Sequence, residues 1–135
     1  MTFEWREYLT LAENLCTNSH TFPNQDACFR VAISRAYYAA FCTARNYAKD
    51  YDHLSLQRTG EDHRIVKNHY SSANDSNTQQ QRQRKEIGIN LDRLRNLRNK
   101  ADYDDIFSRL ENEAKYAITL SKKVIHLLEA LFEGN

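Results

Sequence analysis

Apolar residues recur at three- and four-residue steps along most of this chain, with polar residues between them. Such spacing places the apolar side chains on one face of an α-helix, which turns once in about 3.6 residues. The clearest stripe predicts a long final helix after residue 105 and consists of Leu110, Ala114, Ala117, Ser121, Val124, Leu128 and Leu131. No β-strand is predicted anywhere.

Three further helices are predicted in the first half of the chain. The first covers residues 3–16 with Thr2 as its N-cap, and its apolar residues are Phe3, Leu11 and Leu15. The second opens at Pro23 and runs to residue 50, and its stripe is Ala27, Val31, Ser34, Tyr38, Phe41, Ala44 and Ala48. A connection over residues 52–60 leads to a short third helix over residues 61–71.

The fourth helix follows a polar, low-complexity stretch over residues 72–84, which predicts a loop and a solvated helix start. Its apolar stripe, Ile87–Leu91–Leu94, ends on Arg98, and Asp102 follows one turn later. These two charged side chains can pair along the helix. A buried pair costs desolvation and rarely adds net stability. The pair therefore indicates either a functional site or an internal polar network, and the sequence leaves both open.

The low content of helix-breaking residues agrees with a helical fold. Only three glycines and one proline occur in 135 residues, and residues of high helix propensity abound. Short connections between long amphipathic helices favour antiparallel neighbours. We therefore predict an all-α fold, an up-and-down bundle of about five helices, in a single domain over residues 1–135.

Charge and motif content narrow the functional classes. Residues 82–100 carry seven basic side chains against two acidic ones, and such a segment can bind polyanions or pair across helices. Three cysteines without a C-x-x-C pattern argue against a disulfide framework and a zinc site. Phosphate-loop, hydrolase and metalloprotease motifs do not occur. Without a membrane-length apolar run or a signal peptide, we expect a cytoplasmic protein, and no cofactor is predicted.

Two motifs stand out. SRAYYAAFCTAR, at residues 34–45, combines small residues with two tyrosines and places Arg35 at the border of the apolar stripe. RNKADYD, at residues 98–104, contains Arg98 and Asp102. In this order and spacing the motifs resemble the signatures of HEPN domains (higher eukaryotes and prokaryotes nucleotide-binding), in particular small prokaryotic members with RAYYAAF and R-x-x-ADY. The resemblance extends over residues 25–131 and implies an all-α bundle.

The resemblance also implies RNA or nucleotide chemistry. Many HEPN proteins are metal-independent ribonucleases that have an R-x4–6-H motif, work as homodimers and act as toxins or defence factors beside a minimal nucleotidyltransferase. Arg98 matches the arginine of that motif and Asn99 the polar residue after it, but Tyr103 and two aspartates occupy the positions allowed for histidine. R-x4-H occurs elsewhere as Arg58–His63 and Arg64–His69, about as often as chance predicts from the composition.

The leading interpretation is a homodimeric HEPN protein that binds RNA or a nucleotide phosphate and acts with a nucleotidyltransferase in a toxin–antitoxin or defence system. The alternatives are an active ribonuclease and a purely structural interaction module. The candidate catalytic residues are Arg98, Asn99, Asp102, Tyr103 and, by family position, His63. The candidate binding residues are Arg35, Arg95, Arg98 and Lys100. The interface edge is predicted at the Leu91–Leu94–Arg98 end of the fourth helix. Because the motif histidine is missing, slow or no cleavage is predicted.

Overall fold

The computed structural model describes residues 2–72 and 78–134 and contains five α-helices. These are α1 (Glu7–Thr17), α2 (Gln25–Tyr51), α3 (Asp62–Ser71), α4 (Gln79–Tyr103) and α5 (Leu110–Glu133). A 3₁₀ turn at Ser19–Thr21 lies between α1 and α2, and no strand occurs in the described residues. The prediction of an all-α fold is therefore confirmed. None of the described helices is both long and apolar enough to cross a membrane.

The helix α2 lies at the centre and packs against α1, α4 and α5, while α3 packs mainly on α4. Its buried face differs from the predicted stripe: Val31 is 46% exposed, whereas Ile33 and Tyr37 are almost fully buried. The reason is the coverage of α2 on several sides, which buries alanines around much of its circumference. Apolar spacing alone then marks one edge of a broad buried face and not its centre.

The predicted start of α1 at Phe3, with Thr2 as N-cap, is wrong, because the helix begins at Glu7. The Glu4 carboxylate accepts a hydrogen bond from the backbone N–H of Arg6 at 3.2 Å and also binds its guanidinium group. Such local side-chain contacts offer the backbone an alternative to the helix. The Trp5 ring instead packs edge-on against Phe3, with ring centres 4.9 Å apart.

The helices α4 and α5 follow their predicted stripes closely. Six of the seven α5 stripe residues are buried, and Leu110 is half-buried. On α4, Leu91 and Leu94 are 2% and 0% exposed, so both belong to the core of this chain and are not available as the edge of a dimer interface. Within the polar stretch predicted as a loop, residues 73–77 lie outside the described residues. The helix α4 starts at Gln79, and the Thr78 hydroxyl caps it by accepting the Gln81 N–H at 3.2 Å.

A polar network fixes the start of α4 against the end of α2. The Arg84 guanidinium donates two hydrogen bonds to the Asp52 carboxylate, at 2.7 and 3.0 Å. His69 Nε2 on α3 lies 2.8 Å from the same carboxylate. All three side chains are less than a quarter exposed. The network therefore ties α2, α3 and α4 together at one end of the bundle.

A glycine permits the close approach of α3 and α4. A Cβ atom at Gly88 would collide with Ser71 Oγ and lie 3.0 Å from the Ser71 backbone nitrogen. We expect Gly88→Ala to lower the free energy of unfolding by about 1–3 kcal/mol despite the better helix propensity of alanine. Gly60→Ala serves as the control, because nothing lies within 4 Å of a Cβ there. Urea denaturation measures both, and equal stability of the two variants would contradict the close packing.

Candidate functional site

Arg98 lies near the C-terminal end of α4 and contacts two tyrosines of α2. Its guanidinium carbon is 5.5 Å from the ring centres of both Tyr37 and Tyr38, and its side chain is only 12% exposed. Arg98 Nη1 is 3.6 Å from Asp102 Oδ2, which is longer than a hydrogen bond. The Nε atom is buried and has no hydrogen-bond partner among the described residues. Arg98 is thus largely buried yet incompletely paired.

Aromatic rings and guanidinium groups alternate between α1 and α4. The Arg35 guanidinium carbon lies 4.7 Å from the Tyr8 ring centre and 5.0 Å from that of Tyr38. Tyr38 also contacts Arg98, which in turn contacts Tyr37. We call the series Tyr8–Arg35–Tyr38–Arg98–Tyr37 the ring–guanidinium ladder. Cations over aromatic faces are attracted by the ring quadrupole, so the ladder holds both arginines in place without a strong carboxylate partner.

His63 of α3 lies at the Tyr37 end of the ladder. Its ring stacks on Phe41, with centres 4.3 Å apart, and its Nδ1 atom is hydrogen-bonded to the Tyr37 hydroxyl. Burial lowers the pKa of His63, and the charges of Arg95 and Arg98 lower it further. Burial also raises the pKa of the Tyr37 hydroxyl. A neutral imidazole and a protonated phenol therefore face the two arginines at neutral pH.

The structure brings some of the predicted site residues together and separates others. We call Tyr37, His63, Arg95, Arg98 and Asp102 the Arg98–His63 cluster. Arg95 is half-buried, its Nε atom has no hydrogen-bond partner within the described part of the chain, and its charge acts on both Tyr37 and His63. The remaining three α4 candidates, Asn99, Lys100 and Tyr103, are exposed on other sides of the helix, Tyr103 by 75%.

A cleft of about 900 Å³ opens beside the cluster, and His63 and Tyr38 form part of its wall. Its aromatic residues are Trp5, Tyr8, Tyr38 and Phe41. Its cationic residues are Arg35, Arg45, Lys49 and Arg58. One carboxylate, Asp62, also lines it, but this residue is 7% exposed and its Oδ1 atom accepts the Gln57 N–H at 3.2 Å. The cleft therefore combines aromatic surface with an excess of positive charge.

Sequence reasoning identified Arg35 and His63 but missed most of this cleft. A signal was present on α2, where five cleft residues recur at helical spacing: Arg35, Tyr38, Cys42, Arg45 and Lys49. This second stripe mixes basic and aromatic residues and lies beside the apolar one. Trp5 and Arg58 come from segments outside the helices, so only the tertiary fold brings them to the cleft.

No protein-family model, curated protein or solved structure matches this chain. Among residues 2–72 and 78–134, no three His, Cys, Asp or Glu side chains converge as ligands for a metal ion. The chemistry of the site is therefore inferred from the cluster and the cleft themselves.

Proposed function

We propose that this chain binds a phosphate group of RNA or of a nucleotide at the Arg98–His63 cluster. The observation that carries the proposal is the convergence of Arg95 and Arg98 on a neutral histidine. Among the described residues, the two arginines have one ion pair between them, that of Arg98 with Asp102 at 3.6 Å. The buried Nε atoms of Arg95 and Arg98 have no hydrogen-bond partner among the described residues, and leaving buried groups of a cation unpaired is costly. Phosphate oxygens accept the N–H groups of guanidinium in a well-matched geometry, so a bound phosphate would relieve that cost.

The resemblance of residues 34–45 and 98–104 to HEPN signatures supports the same function and extends it. It suggests a homodimer in which two clusters meet, and a minimal nucleotidyltransferase as the partner protein in a toxin–antitoxin or defence system. With Leu91 and Leu94 in the core, the exposed apolar residues near the end of α4 are the surface such a dimer would cover. These are Val31, Tyr103 and Ile106, which are 46%, 75% and 85% exposed.

A second candidate function, metal-independent cleavage of RNA, is favoured by the position of His63. Such cleavage needs a base for the 2′-hydroxyl and cations for the charge that develops on the phosphorus-bound oxygens. The lowered pKa of His63 keeps it unprotonated at neutral pH. When Nδ1 carries the ring proton and its N–H donates a hydrogen bond to the Tyr37 hydroxyl oxygen, Nε2 is the ring nitrogen that can accept a proton. The α3 histidine would then supply the group that is missing after Arg98.

Replacement of Arg98 by methionine tests the phosphate contact. The methionine stem can keep the packing against Tyr37 and Tyr38 while removing the charge. We expect a single-stranded oligoribonucleotide to bind at least about tenfold more weakly, since hydrogen bonds to charged groups contribute roughly 1.5–3 kcal/mol. The slope of log affinity against log salt should fall by about 0.7 for one lost phosphate contact. Fluorescence anisotropy measures both quantities.

The control for this titration is Lys123→Met, because Lys123 pairs with Glu86 on another side of the bundle and removal of its charge leaves the cluster intact. Circular dichroism should show the same helical content in both variants. Unchanged RNA binding by Arg98→Met together with a lowered melting temperature would contradict the proposal. That result would mean that Arg98 stabilises the fold without contacting RNA, and it would favour the non-catalytic interaction module.

A further inference from the structure

The cleft contains more positive charge than the folded chain balances. Arg45 Nε donates to Asn46 Oδ1 at 3.1 Å, and one Arg35 Nη atom donates to Ser34 Oγ at 3.1 Å, so the acceptors in both hydrogen bonds are neutral. No ion pair within the described part of the chain involves either of these arginines, Lys49 or Arg58. Four cations around one cavity repel one another, and an anionic ligand would remove that repulsion.

The same cleft has an aromatic wall along which an aromatic ligand can lie. Trp5 and Tyr8 approach from the N-terminal segment and α1, and Tyr38 and Phe41 from α2. The Arg45 guanidinium carbon is 5.3 Å from the Trp5 ring centre. Both aromatic rings and guanidinium planes are surfaces on which unpaired bases stack. The volume of about 900 Å³ is within the range of small-molecule sites, roughly 300–1,000 Å³.

We infer that this cleft is a subsite for one unpaired nucleotide, with the base against the Trp5 and Tyr8 side and the phosphate on Arg45, Lys49 and Arg58. The inference rests on the proposed function, because this nucleotide would be the neighbour, in the same ligand, of the phosphate bound at the Arg98–His63 cluster. His63 lines the cleft and belongs to the cluster, and Tyr38 lines the cleft and contacts Arg98, so the two places adjoin and one strand can reach both. The shared chemistry is a base joined to a phosphate, either free or within a single strand.

The cationic residues and the aromatic residues of the cleft together disfavour two other kinds of ligand. A small inorganic anion would satisfy the cations but leave the aromatic surface uncovered. Duplex RNA presents phosphates but keeps its bases paired and stacked within the helix, where they cannot reach the Trp5 ring. An unpaired nucleotide uses both parts of the wall, so its affinity should exceed that of either the phosphate or the duplex.

The single tryptophan provides a direct measurement, because Trp5 lines the cleft and is the only tryptophan in the chain. Trp5 fluorescence, excited at the red edge of its absorption, is recorded during titration with adenosine 5′-monophosphate, a short single-stranded oligoribonucleotide, ribose 5-phosphate and duplex RNA. We expect the mononucleotide and the single strand to quench Trp5 through stacking. Ribose 5-phosphate and the duplex should need at least about fivefold higher concentrations for the same quenching, since base stacking contributes roughly 5- to 150-fold.

A matched pair of double variants tests the cationic part. Arg45→Gln with Lys49→Gln should weaken quenching by the mononucleotide at least about tenfold. Lys122→Gln with Lys123→Gln removes the same charge from residues that pair with Glu13 and Glu86, and should leave quenching unchanged.

Equal quenching by ribose 5-phosphate, or equal affinity of the two double variants, would overturn the subsite. Loss of strand binding in Arg98→Met but not in the cleft variant would overturn the subsite alone. A third outcome is that the cleft double variant weakens mononucleotide quenching while Arg98→Met leaves the affinity for the strand unchanged. This outcome would overturn only the proposed phosphate contact at Arg98.

Discussion

Replacement of Asp52 by asparagine is expected to lower the free energy of unfolding by about 2–4 kcal/mol. The Asp52 carboxylate accepts two hydrogen bonds from Arg84 and contacts His69, and it joins three helices. Asparagine cannot balance the Arg84 charge, whose side chain is 19% exposed and so remains poorly hydrated. The melting temperature should fall by roughly 10 °C for a domain of this size. Urea and thermal denaturation followed by circular dichroism measure these changes.

The control is Asp50→Asn, because Asp50 is exposed in the last turn of α2, two residues before Asp52. Its replacement should change the free energy of unfolding by less than about 0.5 kcal/mol. Arg84→Met in the Asp52→Asn background should recover part of the loss, because no uncompensated charge then remains. Equal stability of Asp52→Asn and Asp50→Asn would show that the network contributes nothing to the bundle.

The stabilisation by Asp52 should depend on pH. Burial alone would raise the pKa of this carboxyl, but hydrogen bonds from Arg84 and His69 outweigh burial and lower it. A carboxyl with a lowered folded pKa stabilises the fold above its unfolded pKa of ~3.9, and loses that contribution as the pH falls through the lower folded value. The difference in unfolding free energy between the wild type and Asp52→Asn should therefore shrink as the pH is lowered below about 4.

The second large effect concerns His63 and cleavage of RNA. If the second candidate function holds, the protein cleaves single-stranded RNA in the presence of a metal chelator. His63→Ala should then reduce the rate by about 10²–10⁴-fold, the usual contribution of a general base. The rate should rise with pH around a pKa below the ordinary histidine value of ~6.5, because burial and the two arginines lower that of His63. A labelled oligoribonucleotide resolved by gel electrophoresis measures the rate.

Two further variants locate the base. His126→Ala removes an exposed histidine of α5 and should leave cleavage unchanged. Tyr103→His restores R-x4-H after Arg98, but this side chain is 75% exposed and lies outside the cluster, so no gain is expected. Cleavage that survives His63→Ala would exclude His63 as the base. Cleavage gained only in Tyr103→His would place the reaction at the exposed position and leave the wild type as a binding protein.

The helical fold could be predicted from sequence because each amphipathic helix carries its own periodic pattern. Leu91 and Leu94 on α4 are buried as their spacing requires. The central α2 was harder, since many of its sides are covered and apolar spacing misplaced its buried face onto Val31. The start of α1 depended on the hydrogen bonds between Glu4 and Arg6, which compete with helix formation. These hydrogen bonds do not show in the spacing of apolar residues.

The candidate site was only partly accessible to the same reasoning. Arg98 could be identified as a candidate because a charged residue ends an apolar stripe, and this pattern lies within one helix. Its contacts with Tyr37 and Tyr38 join α4 to α2, and the hydrogen bond between Tyr37 and His63 joins α2 to α3. Contacts between separate helices depend on how the helices pack, which periodicity within one helix does not specify. For that reason the cluster and the cleft emerged only from the folded structure.

The ring–guanidinium ladder makes Tyr38 common to two places on the surface. Arg35 and Arg98 both contact this one ring, and any ligand that draws either guanidinium away changes the environment of the other. Thermodynamic linkage then requires reciprocity: a factor by which occupancy at the cleft alters affinity at Arg98 is the factor by which occupancy at Arg98 alters affinity at the cleft. A ligand in the cleft that draws Arg35 away from Tyr38 would therefore alter phosphate affinity at Arg98, with Tyr38 as the residue that couples the two places.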